Sequence, residues 1–139
     1  MIGILLVTHG EIGKSLIDCA SNILGNSINL LECIPVDPKS DIEDCQKIIE
    51  NEIKNLDQGA GILIMTDIYG ATPSNILKKY SLQNDIEVIT GLNLPMLMYW
   101  FQRPWEIKKR ASGAKTIAQK TATSTRYFIP QVCTQAGAC

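Results

Sequence analysis

The segment IGILLVTHG, residues 2–10 of this 139-residue chain, gives the strongest indication of its fold. Its first seven residues form an apolar run without polar alternation, which is typical of a strand covered on both faces. Strands of this kind belong to parallel sheets that carry helices on either side. We therefore predict a buried strand over residues 2–8, with His9 and Gly10 in the loop that leaves its carboxyl end.

Strand and helix patterns alternate along the rest of the chain. Continuous apolar runs predict buried strands, and apolar residues at helical spacing predict the helices between them. This alternation predicts one α/β domain with an open parallel sheet flanked by helices. The predicted strands cover residues 2–8, 28–36, 61–66 and 86–90, and the predicted helices cover residues 11–24, 40–56, 72–80 and the stretch from 95 onward.

Capping residues support three of these helix boundaries. Gly25 is a C-terminal stop for the first helix, because glycine accepts the left-handed conformation that often follows a helix. Ser40 or Asp41 is the expected N-cap of the second helix. Thr72 is the expected N-cap of the third helix, with Pro73 in its first turn.

Charge divides the chain into two parts. Residues 1–102 carry 6 Lys/Arg and 13 Asp/Glu, a net charge of −7, whereas residues 103–139 carry 7 Lys/Arg and 1 Asp/Glu, a net charge of +6. The overall charge of −1 argues against a dedicated nucleic-acid binder, whose domain is normally basic. We predict a core at residues 1–102 and a basic segment at 103–139 that completes or extends the same domain, with a helix near 105–120 and a short strand near 126–129.

The composition of the chain indicates its class of protein and its cellular compartment. Hydrophobic residues make up 45% of the chain and charged residues 19%, values of a folded globular protein. No run approaches the roughly 18 apolar residues of a membrane span, and the apolar start lacks the basic region and cleavage site of a signal peptide. Five cysteines without CxxC spacing, and a single histidine, predict reduced thiols in a cytoplasmic protein with no zinc site.

The candidate chemistry lies in the loops that follow the strands, because open parallel sheets bind ligands at the carboxyl ends of their strands. If the first and third strands are neighbours, about 5 Å apart, then His9 and Asp67 lie side by side. A carboxylate there accepts the imidazole N–H and raises the basicity of the other nitrogen, as a nucleophilic or phosphoryl-carrying histidine needs. Taken singly, His9 also fits an ordinary polar loop residue, and Asp67 an ordinary turn residue.

Glycines in these loops have two interpretations. Gly10, Gly70 and Gly91 allow backbone to approach a phosphate, and the helix at Thr72 would aim N–H groups at it, but each glycine also suits an ordinary loop. The chain contains no GxGxxG or GxxxxGK[ST] motif, so we predict no nucleotide cofactor. It also lacks a GxSxG elbow, so Ser74 is assigned to an ordinary first-turn position.

Three segments resemble the mannose-type IIA components of the bacterial phosphotransferase system. They are THGEIGKSL at residues 8–16, ILIMTDIYGATPSN at 62–75 and VITGLNLPML at 88–97, and with their spacing they extend the resemblance over about residues 1–98. The resemblance implies a four-stranded parallel sheet of order 2-1-3-4, with a fifth strand exchanged in a homodimer. In this chain residues 127–132 would supply that strand.

The same resemblance implies a cytoplasmic phosphotransferase without metal or cofactor. His9 would accept a phosphoryl group through Nε2 from the carrier protein HPr and pass it to a IIB component, and Asp67 would orient the ring. No nucleic acid is an expected partner, and the membrane is reached only indirectly, through the permease complex. The expected site-shaping residues are Thr8, Gly10, Gly70, Thr72 and Asn93.

The C-terminal part of the chain departs from the family pattern, and other functions also fit the predicted site. After residue 97 the chain leaves the family pattern for an aromatic and basic segment, which fits a divergent helix, a shifted reading frame or a basic patch for an acidic partner. The site also fits a regulatory phosphocarrier without a permease, or the phosphocarrier subunit of dihydroxyacetone kinase. A binding module in which His9 is inert is the fourth alternative. The sugar is not readable from this chain.

Overall fold

A computed structural model describes residues 2–25 and 29–102 and contains one sheet of four parallel strands in the order β2-β1-β3-β4. The predicted α/β class and strand order are therefore confirmed. The strands are β1 (Gly3–His9), β2 (Leu31–Val36), β3 (Ile62–Thr66) and β4 (Ile86–Thr90); the helices are α1 (Ile12–Leu24), α2 (Ile42–Leu56), α3 (Thr72–Leu77) and α4 (Leu94–Gln102), with a 3₁₀ helix at Tyr80–Leu82.

Some predictions concern residues that the structure does not describe. The helix near 105–120, the strand near 126–129 and the exchanged strand at 127–132 all lie outside the described residues, as does the first residue of the strand predicted to begin at 28. Within the two described ranges, no helix is both long and apolar enough to cross a membrane. The three cysteines in those ranges are unpaired thiols.

The central strand β1 is buried because it pairs on both sides and is covered on both faces. Leu5, Leu6 and Val7 have no solvent exposure. Successive side chains of a strand point to opposite faces, so Leu5 and Val7 join one core cluster and Leu6 joins the other. Full burial of each such side chain contributes about 1.5–3 kcal/mol, so the apolar run at residues 2–8 contributes strongly to the stability of the sheet.

Two helical layers cover the faces of the sheet. On one face α2 and α3 pack with the buried ring of Tyr80, whose hydroxyl donates to the carbonyl of Gln46 at 3.3 Å. On the other face α1 packs with α4, which buries Trp100. In the described part of the chain, each of the four strand-to-helix loops at the carboxyl ends of the strands has a solvent-exposed residue, namely Gly10, Asp37, Ile68 and Gly91.

The helix caps agree with the sequence at two positions and differ at the third. Gly25 ends α1 at φ +70°, and Asp41 caps α2 by accepting the N–H groups of Glu43 and Asp44. The prediction that Thr72 caps α3 is wrong. Thr72 is already helical because the carbonyl of the preceding residue, Ala71, accepts the first hydrogen bond of the helix. α3 also ends at 77 and not at 80.

Gly13 lets α1 lie against the end of β1. Its N–H donates to the hydroxyl of the buried Thr8 at 2.9 Å. A methyl group at Gly13 would come within 2.5 Å of the Cys33 sulfur and 2.9 Å of the Thr8 hydroxyl oxygen. The first turn of α1 is therefore close to β1 and β2 only because this position has no side chain.

We predict that Gly13→Ala lowers the free energy of unfolding by about 1–3 kcal/mol, as overpacking usually does. The sign is diagnostic, because glycine to alanine inside a helix otherwise stabilises by about 1 kcal/mol. Urea unfolding measures the change, with Ser15→Ala at an exposed position of α1 as the control. In a Cys33→Ala background the cost should shrink. A Gly13→Ala protein more stable than the wild type would contradict this packing.

Candidate functional site

The pairing of β1 with β3 brings His9 and Asp67 together. In the register of the two strands Leu6 lies opposite Met65. Two residues further along the chain, Leu6 is followed by Thr8, directly before His9, and Met65 is followed by Asp67, directly after β3. His9 is the last residue of β1, one position later than the sequence predicts for the strand end, because it still pairs with Val36 of β2. The predicted contact between His9 and Asp67 is confirmed.

The Asp67 carboxylate makes four hydrogen bonds at this point. Oδ2 accepts from the His9 backbone N–H at 3.0 Å and from His9 Nδ1 at 2.9 Å. Oδ1 accepts from the Ile68 N–H at 2.9 Å and from the hydroxyl of Thr66 at 3.4 Å. One side chain therefore holds both the backbone and the ring of His9, and it holds the start of its own loop as well.

These contacts determine the ionisation of Asp67. Burial would raise the pKa of the carboxyl, but hydrogen bonds from the His9 ring, the His9 backbone N–H and the Ile68 N–H outweigh burial and hold the pKa below its ordinary value of 3.8. An ionised carboxylate can only accept hydrogen bonds, so the shared proton in the neutral imidazole sits on Nδ1. The lone pair of the ring is consequently on Nε2.

The exposure of the pair favours chemistry at the histidine. The Asp67 side chain is 8% exposed and the His9 side chain 32% exposed, so the carboxylate lies behind the ring and the ring reaches solvent. No hydrogen bond from the described part of the chain engages Nε2. The arrangement can therefore use Nε2 as a nucleophile while Asp67 holds the ring and balances positive charge that develops on it.

The other predicted residues of the β1 and β4 loops hold the backbone and not the imidazole. Thr8 anchors α1 through Gly13, as described above. Gly10 turns the chain from β1 into α1 at φ +46°, and its N–H donates to the carbonyl of Val36 at 3.3 Å. Asn93 accepts the N–H of Met96 at 2.9 Å and so caps α4.

In the loop after β3, the structure connects residues that the sequence treats separately. Gly70 has φ +81° and is exposed, and Thr72 begins α3 with an exposed side chain. Ser74 and Asn75, neither of which the sequence analysis places in the site, hydrogen-bond to Gly70. The available signal was the position of Ser74 and Asn75 directly after Thr72 and Pro73, in the first turn of a helix, where polar side chains reach back to preceding backbone.

The surface beside the pair is apolar. Ile68 is 58% exposed and Tyr69 79% exposed, directly after Asp67. Leu94, the first residue of α4 after the loop that follows β4, is half-buried. Across residues 2–25 and 29–102 no three His, Cys, Asp or Glu side chains gather closely enough to hold a metal ion.

We predict that the stability contributed by Asp67 depends on pH. Its pKa in the folded protein is below the ordinary 3.8, so its contacts stabilise the fold in full above about pH 4 and are lost as pH falls through the folded pKa. The difference in unfolding free energy between wild type and Asp67→Asn should therefore be steady from about pH 6 to about pH 4 and shrink as pH falls further, toward pH 3 and below. Urea unfolding across this range measures it, and a difference that stays constant would show that the carboxylate does not carry these contacts.

Comparisons with known proteins identify relatives of this chain. Residues 3–117 match the EIIA-man family, described as the PTS system fructose IIA component. The chain is 29% identical over 103 residues to the mannose-specific EIIAB component of Escherichia coli, covering 70% of this chain and 30% of that protein. It is 25% identical over 99 residues to the fructose-specific EIIA component of Bacillus subtilis, covering 70% of this chain and 67% of that protein.

A solved structure extends the similarity to the fold. The phosphotransferase system component EIIA from Streptococcus agalactiae superposes with a TM-score of 0.76 and 26% identity, over 93% of this chain and 95% of that one. This chain spans less than a third of the E. coli EIIAB protein, so it is similar to one part of that protein. With the family match covering residues 3–117, this chain belongs to the EIIA-man family of phosphotransferase system IIA components.

Proposed function

We propose that this chain is a phosphohistidine carrier of a sugar phosphotransferase system, with His9 as the phosphorylated residue and Asp67 as the residue that orients it. The observation that carries the proposal is the 2.9 Å bond between His9 Nδ1 and Asp67 Oδ2, which leaves Nε2 as the nucleophilic nitrogen. Membership of the EIIA-man family supports it, and so do the relatives named as mannose-specific and fructose-specific components.

The transfer balances without a cofactor. The Nε2 lone pair of His9 attacks the phosphorus of a phosphohistidine on HPr, the new N–P bond forms, and the donor histidine leaves with the electron pair of the broken N–P bond. Nε2 carries no proton in this tautomer, so none has to be removed. The phosphorylated ring keeps its Nδ1 proton and becomes cationic, and the Asp67 carboxylate stabilises that charge. The reverse geometry then passes the phosphoryl group to a IIB component.

Partner docking centres on the carboxyl end of the sheet. Phosphoryl transfer requires the reacting atoms to approach within about 3–3.5 Å, so each partner must contact the surface around His9. The exposed side chains of Ile68 and Tyr69 offer apolar contact there, and a small interface suits a transient exchange. The carrier would act in the cytoplasm and meet the membrane only through the permease complex.

The basic C-terminal segment belongs to the same unit in this proposal. The family match continues to residue 117, past the predicted core at 1–102, which supports a segment at 103–139 that completes the domain. A homodimer in which residues 127–132 supply an exchanged strand is part of the same proposal. Sedimentation of the full chain and of a chain ending at residue 126 would compare their oligomeric states.

We predict that His9 takes up one phosphoryl group. Incubation with phosphoenolpyruvate, enzyme I and HPr should add one acid-labile, base-stable phosphate to the wild type and none to His9→Ala. The chain contains one histidine, so no other imidazole can substitute for it. Intact-protein mass spectrometry counts the phosphates. A phosphate that resists acid, or one that persists in His9→Ala, would point to a hydroxyl side chain instead.

We also predict that Asp67→Asn slows the transfer on the order of 10- to 100-fold, the range typical of changes to a residue that holds a functional histidine by its other ring nitrogen. The amide cannot balance the cationic phosphorylated ring, and it can present an N–H where Nδ1 needs an acceptor. Rapid-quench kinetics with phosphorylated HPr measures the rate. Asp37→Asn is the control, because this exposed carboxylate follows the neighbouring strand β2 and accepts the Lys39 N–H but does not contact the imidazole. Equal rates for wild type and Asp67→Asn would contradict the assigned role.

A further inference from the structure

Gly70 is held by side chains on both of its backbone groups. Its N–H donates to the Ser74 hydroxyl at 2.7 Å, and its carbonyl accepts from the Asn75 amide at 3.0 Å. Gly70 itself is exposed, with φ +81° and no atom near the place of a side chain. Ser74 and Asn75, in the first turn of α3, therefore determine the backbone path of an exposed residue that has no side chain of its own.

The Ser74 hydroxyl has little freedom to leave this arrangement. Its residue is 6% exposed, and while it accepts from Gly70 it donates its proton to the carbonyl of Ala71 at 3.1 Å. Donor and acceptor functions of the hydroxyl are both used, so rotation about the side-chain bond would break two hydrogen bonds at once. Pro73, directly before it, has no N–H, which suits the first turn of a helix because that group would have no partner within the helix.

The other end of the same loop is anchored at Asp67. Its carboxylate accepts the Ile68 N–H at 2.9 Å, and its carbonyl accepts the Gly91 N–H at 3.1 Å. Ile68 and Tyr69 lie between the two anchors. With exposures of 58% and 79% these residues gain little from packing against the rest of the chain. Hydrogen bonds at the two ends, and not burial, therefore set their positions.

We propose that Ser74 and Asn75 are positioning residues that pre-organise the loop at residues 68–70 as a docking element for the phosphoryl donor protein. The inference rests on the proposed function, since it assumes that this surface meets a phosphorylated partner. A loop already in its bound shape spares the cost of ordering Ile68 and Tyr69 on binding, and we expect this saving to be about a tenfold effect on affinity. Asp67 acts on the ring, whereas these two residues act on the approach of the partner.

The kinetic test separates docking from chemistry. Ser74→Ala removes the acceptor of the Gly70 N–H, and the isosteric Asn75→Asp removes the donor to its carbonyl. Each should raise KM for phosphorylated HPr about tenfold and leave kcat within about twofold. Ser81→Ala is the matched control, because Ser81 donates to the carbonyl of Lys78 at 2.8 Å by the same three-residue reach but lies after α3. An unchanged KM in both variants, or a fall in kcat alone, overturns the proposal.

A second readout is independent of activity. Hydrogen exchange at the Gly70 amide should accelerate at least tenfold in Ser74→Ala and stay at the wild-type rate in Ser81→Ala, with the thermal midpoints showing that both variants are folded. An unchanged exchange rate at the Gly70 amide in Ser74→Ala would show that Ser74 does not hold Gly70, and it overturns the proposal. A wild-type chain that accepts no phosphoryl group overturns the proposed function and with it the docking role. The exchange rate then tests only whether Ser74 holds the Gly70 backbone.

Discussion

The organisation of the site depends on one carboxylate. Oδ2 of Asp67 accepts both the backbone N–H and the ring Nδ1 of His9, while Oδ1 accepts the N–H of Ile68. Hydrogen bonds to a charged group contribute about 1.5–3 kcal/mol each, so the bonds of this one side chain are a large polar contribution at this edge of the sheet. It joins β1 to β3 at the point where both strands end.

The strand order is the reason that this contact exists. β1 lies between β2 and β3, and the sheet keeps that order because the apolar run of β1 must be covered by strands on both edges and helices on both faces. The same packing requires Gly13, since α1 approaches β1 closely enough that a methyl group would meet Thr8 and Cys33. Core packing and site geometry are thus consequences of one buried strand.

How far the sequence predicts this structure follows from the range of each interaction. Buried strands and capped helices are local, so the apolar run at residues 2–8 and the Asp41 cap could be predicted. Contact between His9 and Asp67 needs the strand order, which periodicity does not contain and the family resemblance supplied. The prediction of Thr72 as a cap is wrong, and the hydrogen bonds of Ser74 and Asn75 to Gly70 were not predicted. At a helix start several side chains can hydrogen-bond to the same backbone groups, and the alternatives differ little in energy.

We propose that Asp67 keeps the proton of His9 on Nδ1 and so makes Nε2 the reacting nitrogen. Nitrogen-15 NMR of the imidazole, with ¹⁵N–³¹P coupling after phosphorylation by HPr, tests it most directly. We expect a protonated Nδ1 before transfer and a phosphorus coupled to Nε2 afterwards. A protonated Nε2 in the resting protein, or a phosphoryl group on Nδ1, would contradict it.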